Sequence, residues 1–247
     1  LKHQADAGME SVKAEMEKMS VDQIIAQSPK LVLLVGLLHK WRSQGLKALI
    51  FSHSVQMLDI IQYVLSSMEG IDACRIDGKS SQDKRKNLVN DFNRVGSRFN
   101  VMLLSIETGG EGLTLTGANK SVLFDPAWNQ AKTDQAVART VRPGQTRECE
   151  CIHFLTAGAV EEKMFGKQIY KGSMDRTILG KSGGNGQKRI YDKVELTQLF
   201  TLEANGKCES LERFQQSDDG GWTKKCSVAK NHQAVVGVSR RSAIYGK

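Results

Sequence analysis

No apolar run among the 247 residues approaches the roughly 20 needed to cross a bilayer, which argues against a helical membrane protein. The first stretch, Leu1 to Ser20, is charged and polar, without the apolar centre of a secretory signal. It also lacks an initiator methionine, as a fragment of a longer chain would. Cysteine is scarce. Five of them, Cys74, Cys149, Cys151, Cys208 and Cys226, are too few and too scattered for a disulfide framework, and they point to a reducing compartment. Cys149-x-Cys151-x-His153 has the look of a metal site. On a strand, however, these three share one face at a spacing of about 6.5–7 Å. A zinc tetrahedron gathers its ligands at about 2.0–2.3 Å, so strand residues are the better reading. There is no internal repeat.

What the chain does have is charge and alternation. A formal net charge of +8 suits a polyanionic partner. Ser28-Pro29 can cap and open a helix that carries Leu31, Leu34, Val35, Leu38 and Trp41 and stops at Gly45. Lys47–Ser52 reads as a strand. Ser54 caps a helix with Leu58, Ile61 and Leu65, closed by Gly70. A strand at Asp72–Ile76 follows. Ser80-x-x-Asp83 resembles a capping box, ahead of a helix with Leu88, Val89 and Phe92. Phe99–Leu104, Ser121–Asp125 and Cys151–Leu155 complete the strands, and Glu161–Gly172 reads as a further helix. Strands separated by helices imply a parallel sheet covered on both faces, an α/β fold. Ligands on such sheets gather beyond the carboxyl ends of the strands.

Two stretches fall there. In Leu103–Asn129 a strand ends at Leu104, and Gly109, Gly110 and Gly112 let the backbone approach a ligand closely. Amide groups and the Ser105 and Thr108 hydroxyls can hold phosphate oxygens there. A tight turn with glycines for sterics alone is the alternative. In Asp134–Gln145, Arg139 and Arg142 are three apart and on a helix would project from one face. Two guanidiniums aimed at one point can neutralise charge on a phosphoryl group in transfer; the alternative is a solvated basic helix end.

Together, in this order and separated by a strand, the two stretches resemble motifs V and VI of superfamily 2 helicases in the form used by Swi/Snf-family ATPases. Upstream, K-A-L-I-F-S-H (Lys47–His53), Leu58-Asp59 and R-I-D-G-K-S-S (Arg75–Ser81) are similar to motif IV and the family's R-x-D-G segment. N-L-V-N-D-F-N (Asn87–Asn93) matches the helix that follows. Downstream, Gly158–Gln168 is similar to the family's brace helix, and Val194–Glu203 to a segment of the excision-repair-6-like subgroup. The resemblance implies a RecA-like second helicase lobe with a helical and partly disordered C-terminal extension. It divides the chain into a helical linker at 1–27, the lobe at 28–172, a basic connector with a short helix at 173–206 and a disordered tail at 207–247. Between Lys163 and Lys193, across the end of the lobe and the start of the connector, there are eight basic residues against Asp175 and Asp192.

The roles implied are specific. Gly110, Glu111, Gly112 and Gln135 would lie near the nucleotide. Arg139 and Arg142 would act as arginine fingers on ATP held, with its Mg²⁺, by the other lobe. Ser52, His53, Arg75, Lys79, Ser105 and Thr108 would face the backbone of double-stranded DNA, naked or nucleosomal, in the nucleus. His53 reads equally as a strand-end surface residue, and Trp128 as core or as DNA-facing. Asp125-Pro126 would shape the loop between motifs V and VI. Three residues depart from the family pattern: Ala138 stands where an Asp is usual, Val141 replaces an aromatic or His, and Pro143 replaces an aliphatic. The first removes an orienting partner for Arg139 or a neighbour, and Pro143 biases Arg142 away from helical dihedrals.

A P-loop is missing. Gly78-Lys79-Ser80 and Gly180-Lys181-Ser182 have Ala73 and Asp175 where G-x-x-x-x-G-K-[ST] needs its first glycine. Catalysis is therefore expected only in company with a first lobe. Two rivals stand beside this reading. A Rossmann oxidoreductase would need a third glycine where Leu115 sits. A non-catalytic DNA-binding module, or an inactive remnant of such an ATPase, would use the basic stretch Lys163–Lys193 as its footprint.

Overall fold

The computed structural model describes residues 18–109, 112–127 and 129–166. The connector, the tail, most of the 1–27 linker, Gly110, Glu111, Trp128 and the end of the brace-helix sequence lie outside them. The elements run α1 (Val21–Ala26), α2 (Pro29–Ser43), β1 (Ala48–Ser52), α3 (Val55–Ser66), β2 (Ala73–Ile76), α4 (Gln82–Asn93), β3 (Val101–Ser105), α5 (Ile106–Gly109), β4 (Lys120–Leu123), α6 (Gln130–Val137) and β5 (Glu150–His153). Residues 160–166 form a last helix, α7.

All strand pairs are parallel, in the order β2-β3-β1-β4-β5. The expected α/β sheet is present, with strand ends displaced by one or two residues. Side chains alternate across a strand, so each central strand feeds two cores. Ala48, Ile50, Val101, Leu103 and Val122 join Leu34, Leu38 and Trp41 of α2 and Leu58, Ile61 and Leu65 of α3 on one face. Leu49, Phe51, Met102 and Leu104 meet Val89 and Phe92 of α4 and Ala136 of α6 on the other. Ile24 of α1 belongs to the first core as well. Its helix opens with a capping box, Ser20 with Gln23.

The cap of α4 differs from expectation. Ser81, not Ser80, accepts from the N–H of Lys84 at 3.4 Å. Ser80 is held back in the preceding turn, where its hydroxyl accepts from the N–H of Asp77 at 3.2 Å. At the other end of α4, Lys47 donates to the carbonyls of Phe92 (2.6 Å) and Arg94 (3.0 Å), a cation on a helix C-terminus. Burial, and then Arg147, lower its pKa.

Candidate nucleotide and nucleic-acid interface

Because every strand is parallel, the carboxyl ends of β1, β2, β3 and β4 reach the same edge of the sheet. Ser52 stands level with Ser105, and Phe51 level with Leu104 and Leu123. Ser52, His53, Arg75 and Ser105 therefore lie at or beside these strand ends, at the place where open α/β sheets bind ligands.

At β1 the hydroxyl of Ser52 is fully buried and donates to the carboxylate of Asp125, whose other oxygen accepts from the N–H of His53 at 2.6 Å. The His53 side chain is exposed. At β3, Ser105 and Thr108 are buried and bonded to each other at 2.8 Å, and the Thr108 N–H donates to Ser105 Oγ at 3.3 Å. Their hydroxyls hold the short α5 together. Gly112 has φ +67 and open space where a Cβ would sit. Its glycine is needed for the left-handed conformation, and it leaves room that a ligand can fill.

The motif VI stretch corrects the expected geometry. Helix α6 ends at Val137 with Ala138 as its C-cap, so Arg139 and Arg142 lie beyond it and do not share a helix face. The N–H of Arg139 bonds the carbonyl of Ala136 at 3.2 Å and that of Thr140 bonds Val137 at 3.0 Å, a tightened last turn. The chain then turns through Arg142-Pro143-Gly144-Gln145, closed by Gln145 N–H to Arg142 C=O at 3.0 Å, with Gly144 at φ +102. Proline second and glycine third is the pattern of a type II turn. Arg139 is buried, Arg142 half-buried and Gln135 exposed on α6.

Two further contacts knit this loop to the glycine-bearing one. Leu115 N–H donates to Arg139 C=O at 3.1 Å. Gln145 Nε2 donates to the carbonyls of Ala118 (2.8 Å) and Thr116 (3.2 Å). Gln145 was not singled out from the sequence; the only signal was a polar side chain directly after a Pro-Gly turn. Across the edge, Lys132 of α6 pairs with Glu107 of α5 at 2.6 Å and draws the Glu107 pKa down.

On β2, the guanidinium of Arg75 bonds Asp59 at 2.5 Å and Asp77 at 2.9 Å. Lys79 is exposed just beyond. Cys149, just before β5, and Cys151 on it are partly buried, and His153 is exposed. Among the described residues no three His, Cys, Asp or Glu side chains gather as a metal-holding group. Burial pushes the Cys151 thiol up to about 12.

Residues 29–144 match the helicase conserved C-terminal domain. Solved structures share the fold, among them two Swi2/Snf2-type ATPase domains. The C-terminal part of the Fun30 ATPase domain is 27% identical with TM-score 0.57, covering 73% of this chain and 54% of that one. The SWI2/SNF2 ATPase core domain of Sulfolobus solfataricus is 26% identical with TM-score 0.58, covering 72% and 36%. The chain belongs to the Swi2/Snf2 family. Its Swi2/Snf2 relatives include the DNA excision repair protein ERCC-6-like of Danio rerio, 35% identical over 96% of this chain and 16% of that protein. The DNA repair and recombination protein RAD26 of Saccharomyces cerevisiae is 38% identical over 71% of this chain and 16% of its own length. The chain thus spans 16% of these relatives. In Swi2/Snf2 terms the described residues form the C-terminal helicase lobe, and Ala138, one of the three departures, is the residue that terminates α6.

Proposed function

We propose that this chain is the second lobe of an ATP-dependent, double-stranded DNA translocase of the DNA-repair or chromatin-remodelling kind, acting in the nucleus. The Leu115–Arg139 bond carries the reading. It ties the segment after Gly112 to the loop that carries Arg139 and Arg142, so the glycine-bearing turn and the two arginines belong to bonded loops. Such an arrangement fits half of a nucleotide site. Among the described residues nothing lies within 4 Å of where a Gly112 Cβ would sit, and exposed Gln135 and half-buried Arg142 can approach a bound nucleotide.

ATP with Mg²⁺ supplies the phosphoryl group when bound. This lobe would hold Gly110, Glu111, Gly112 and Gln135 against the nucleoside side. Arg139 and Arg142 would stabilise negative charge on the transferring phosphoryl oxygens. The phosphate cradle and the magnesium ligands belong to a first lobe. The DNA face would be built by the Ser52-His53, Arg75–Lys79 and Ser105–Thr108 segments, whose common edge lets backbone amides and cations follow one strand without reading bases. Nucleosomal DNA would be met through the same backbone contacts.

The test joins this chain to the first lobe of an excision-repair-6-like relative. Arg142→Ala should lower DNA-stimulated ATP turnover on the order of 10³-fold while leaving ATP affinity unchanged. Unchanged turnover would mean that the Pro143-Gly144 turn carries Arg142 away from the phosphates. Ala138→Asp, which restores the usual carboxylate, should raise turnover if that departure has slowed the enzyme.

A further inference from the structure

A groove of about 360 Å³ opens where the edge strand β2 ends, between the starts of α3 and α4. Its floor is the Arg75 guanidinium, whose side chain is only 14% exposed. Nε donates to Asp77 at 2.9 Å, and one terminal nitrogen donates to Asp59 at 2.5 Å and to Gln62 at 3.2 Å. Two carboxylates face one guanidinium, so the floor offers little positive charge and few free donors to an incoming phosphate.

Asp77 does a second job. Its other oxygen accepts from the N–H of Lys79 at 3.0 Å, and its carbonyl accepts from Ser80 N–H at 3.1 Å and from Arg85 at 3.1 Å. Arg75 therefore pins Asp77, and Asp77 pins the turn that presents Lys79. Lys84 stands across the mouth, in the first turn of α4. Both lysines are exposed, and neither ammonium has an acceptor among the described residues. Asp83, in the same turn of α4, is not part of the lining.

We infer that Lys79 and Lys84 hold phosphates of a DNA strand at the groove's mouth and that Arg75 is a positioning residue beneath them, not a phosphate ligand. This rests on the DNA reading above and adds Lys84 to it. Lysine suits the task because it is a point charge without a fixed fork. A strand that slides past needs attraction that does not depend on one bidentate geometry, and arginine used bidentately would impose one.

The experiment measures duplex DNA affinity of the 247-residue chain against salt concentration. Basic residues elsewhere contribute equally to every variant and cancel in the differences. Lys79→Ala and Lys84→Ala should each flatten the log–log salt slope by about 0.9, and the double variant by about 1.8. Both sites are exposed, so circular dichroism should show an unchanged fold. Arg75→Gln should weaken binding without changing the slope, and the weakening should vanish in the Lys79→Ala background because Arg75 acts through that lysine. Lysine variants with the wild-type slope would overturn the inference. So would a further slope loss on adding Arg75→Gln to the double variant, which would make Arg75 the direct contact. No salt-dependent duplex binding by the wild type would instead remove the DNA reading itself, and this inference with it.

Discussion

Asp125 illustrates how much one carboxylate settles at the residue scale. It accepts from a buried hydroxyl and from a backbone N–H, and so joins the end of β4 to the end of β1. Removing it would take the acceptor from the exposed His53 N–H, which water can replace, and leave the buried Ser52 hydroxyl only the Ser54 carbonyl at 3.2 Å. Asp125→Ala should therefore lower stability by about 1–3 kcal/mol in urea unfolding, the cost of one poorly satisfied buried group, and Asp125→Asn, which keeps one oxygen, by clearly less. An unchanged midpoint would show that the clamp contributes nothing. Cys74 offers a second check. Burial raises its thiol to about 12, so at pH 8 it should resist iodoacetamide until the protein unfolds. The folded pKa lies above the unfolded one, so its stabilisation is complete below the unfolded value near 8.5. It is lost as pH rises from there through about 12, because the unfolded state releases the proton first. Fast labelling of native Cys74 would contradict the buried position.

At the scale of elements, the sheet and most helices were legible because apolar runs and caps are local. A-L-I-F-S (Ala48–Ser52) is an apolar run that forms a wholly buried strand, and Ser28-Pro29 and Ser54 open their helices as expected. The failures also have local causes. Two adjacent serines compete for one cap, and Ser80 is taken by Asp77, which only the three-dimensional turn reveals. Ser81→Ala should therefore cost about 1 kcal/mol of stability. Helix α6 stops early because Thr140 and Val141 are β-branched and Pro143 excludes a helix through Arg142. The spacing of the two arginines therefore misleads, since it assumes a helix. Gln145 was invisible because its partners, the carbonyls of Thr116 and Ala118, lie far along the chain. Gln145→Ala should speed amide exchange across 139–147 while β1 and β3 stay protected. Uniform protection would show that the loop holds its place without that side chain.

At the scale of the whole molecule, the proposed reading makes the described lobe half of a two-lobe site. Its glycine-bearing and arginine-bearing loops are bonded together, its sheet presents them on one side, and no P-loop stands in the sequence. The charge of +8 favours a polyanion without choosing one. The most direct measurement is ATP turnover by this chain alone, by a first lobe alone, and by the two joined, each with and without duplex DNA. The account predicts background turnover for each lobe and DNA-stimulated turnover for the joined protein. Robust DNA-stimulated hydrolysis by this chain alone, or none by the joined protein, would contradict it.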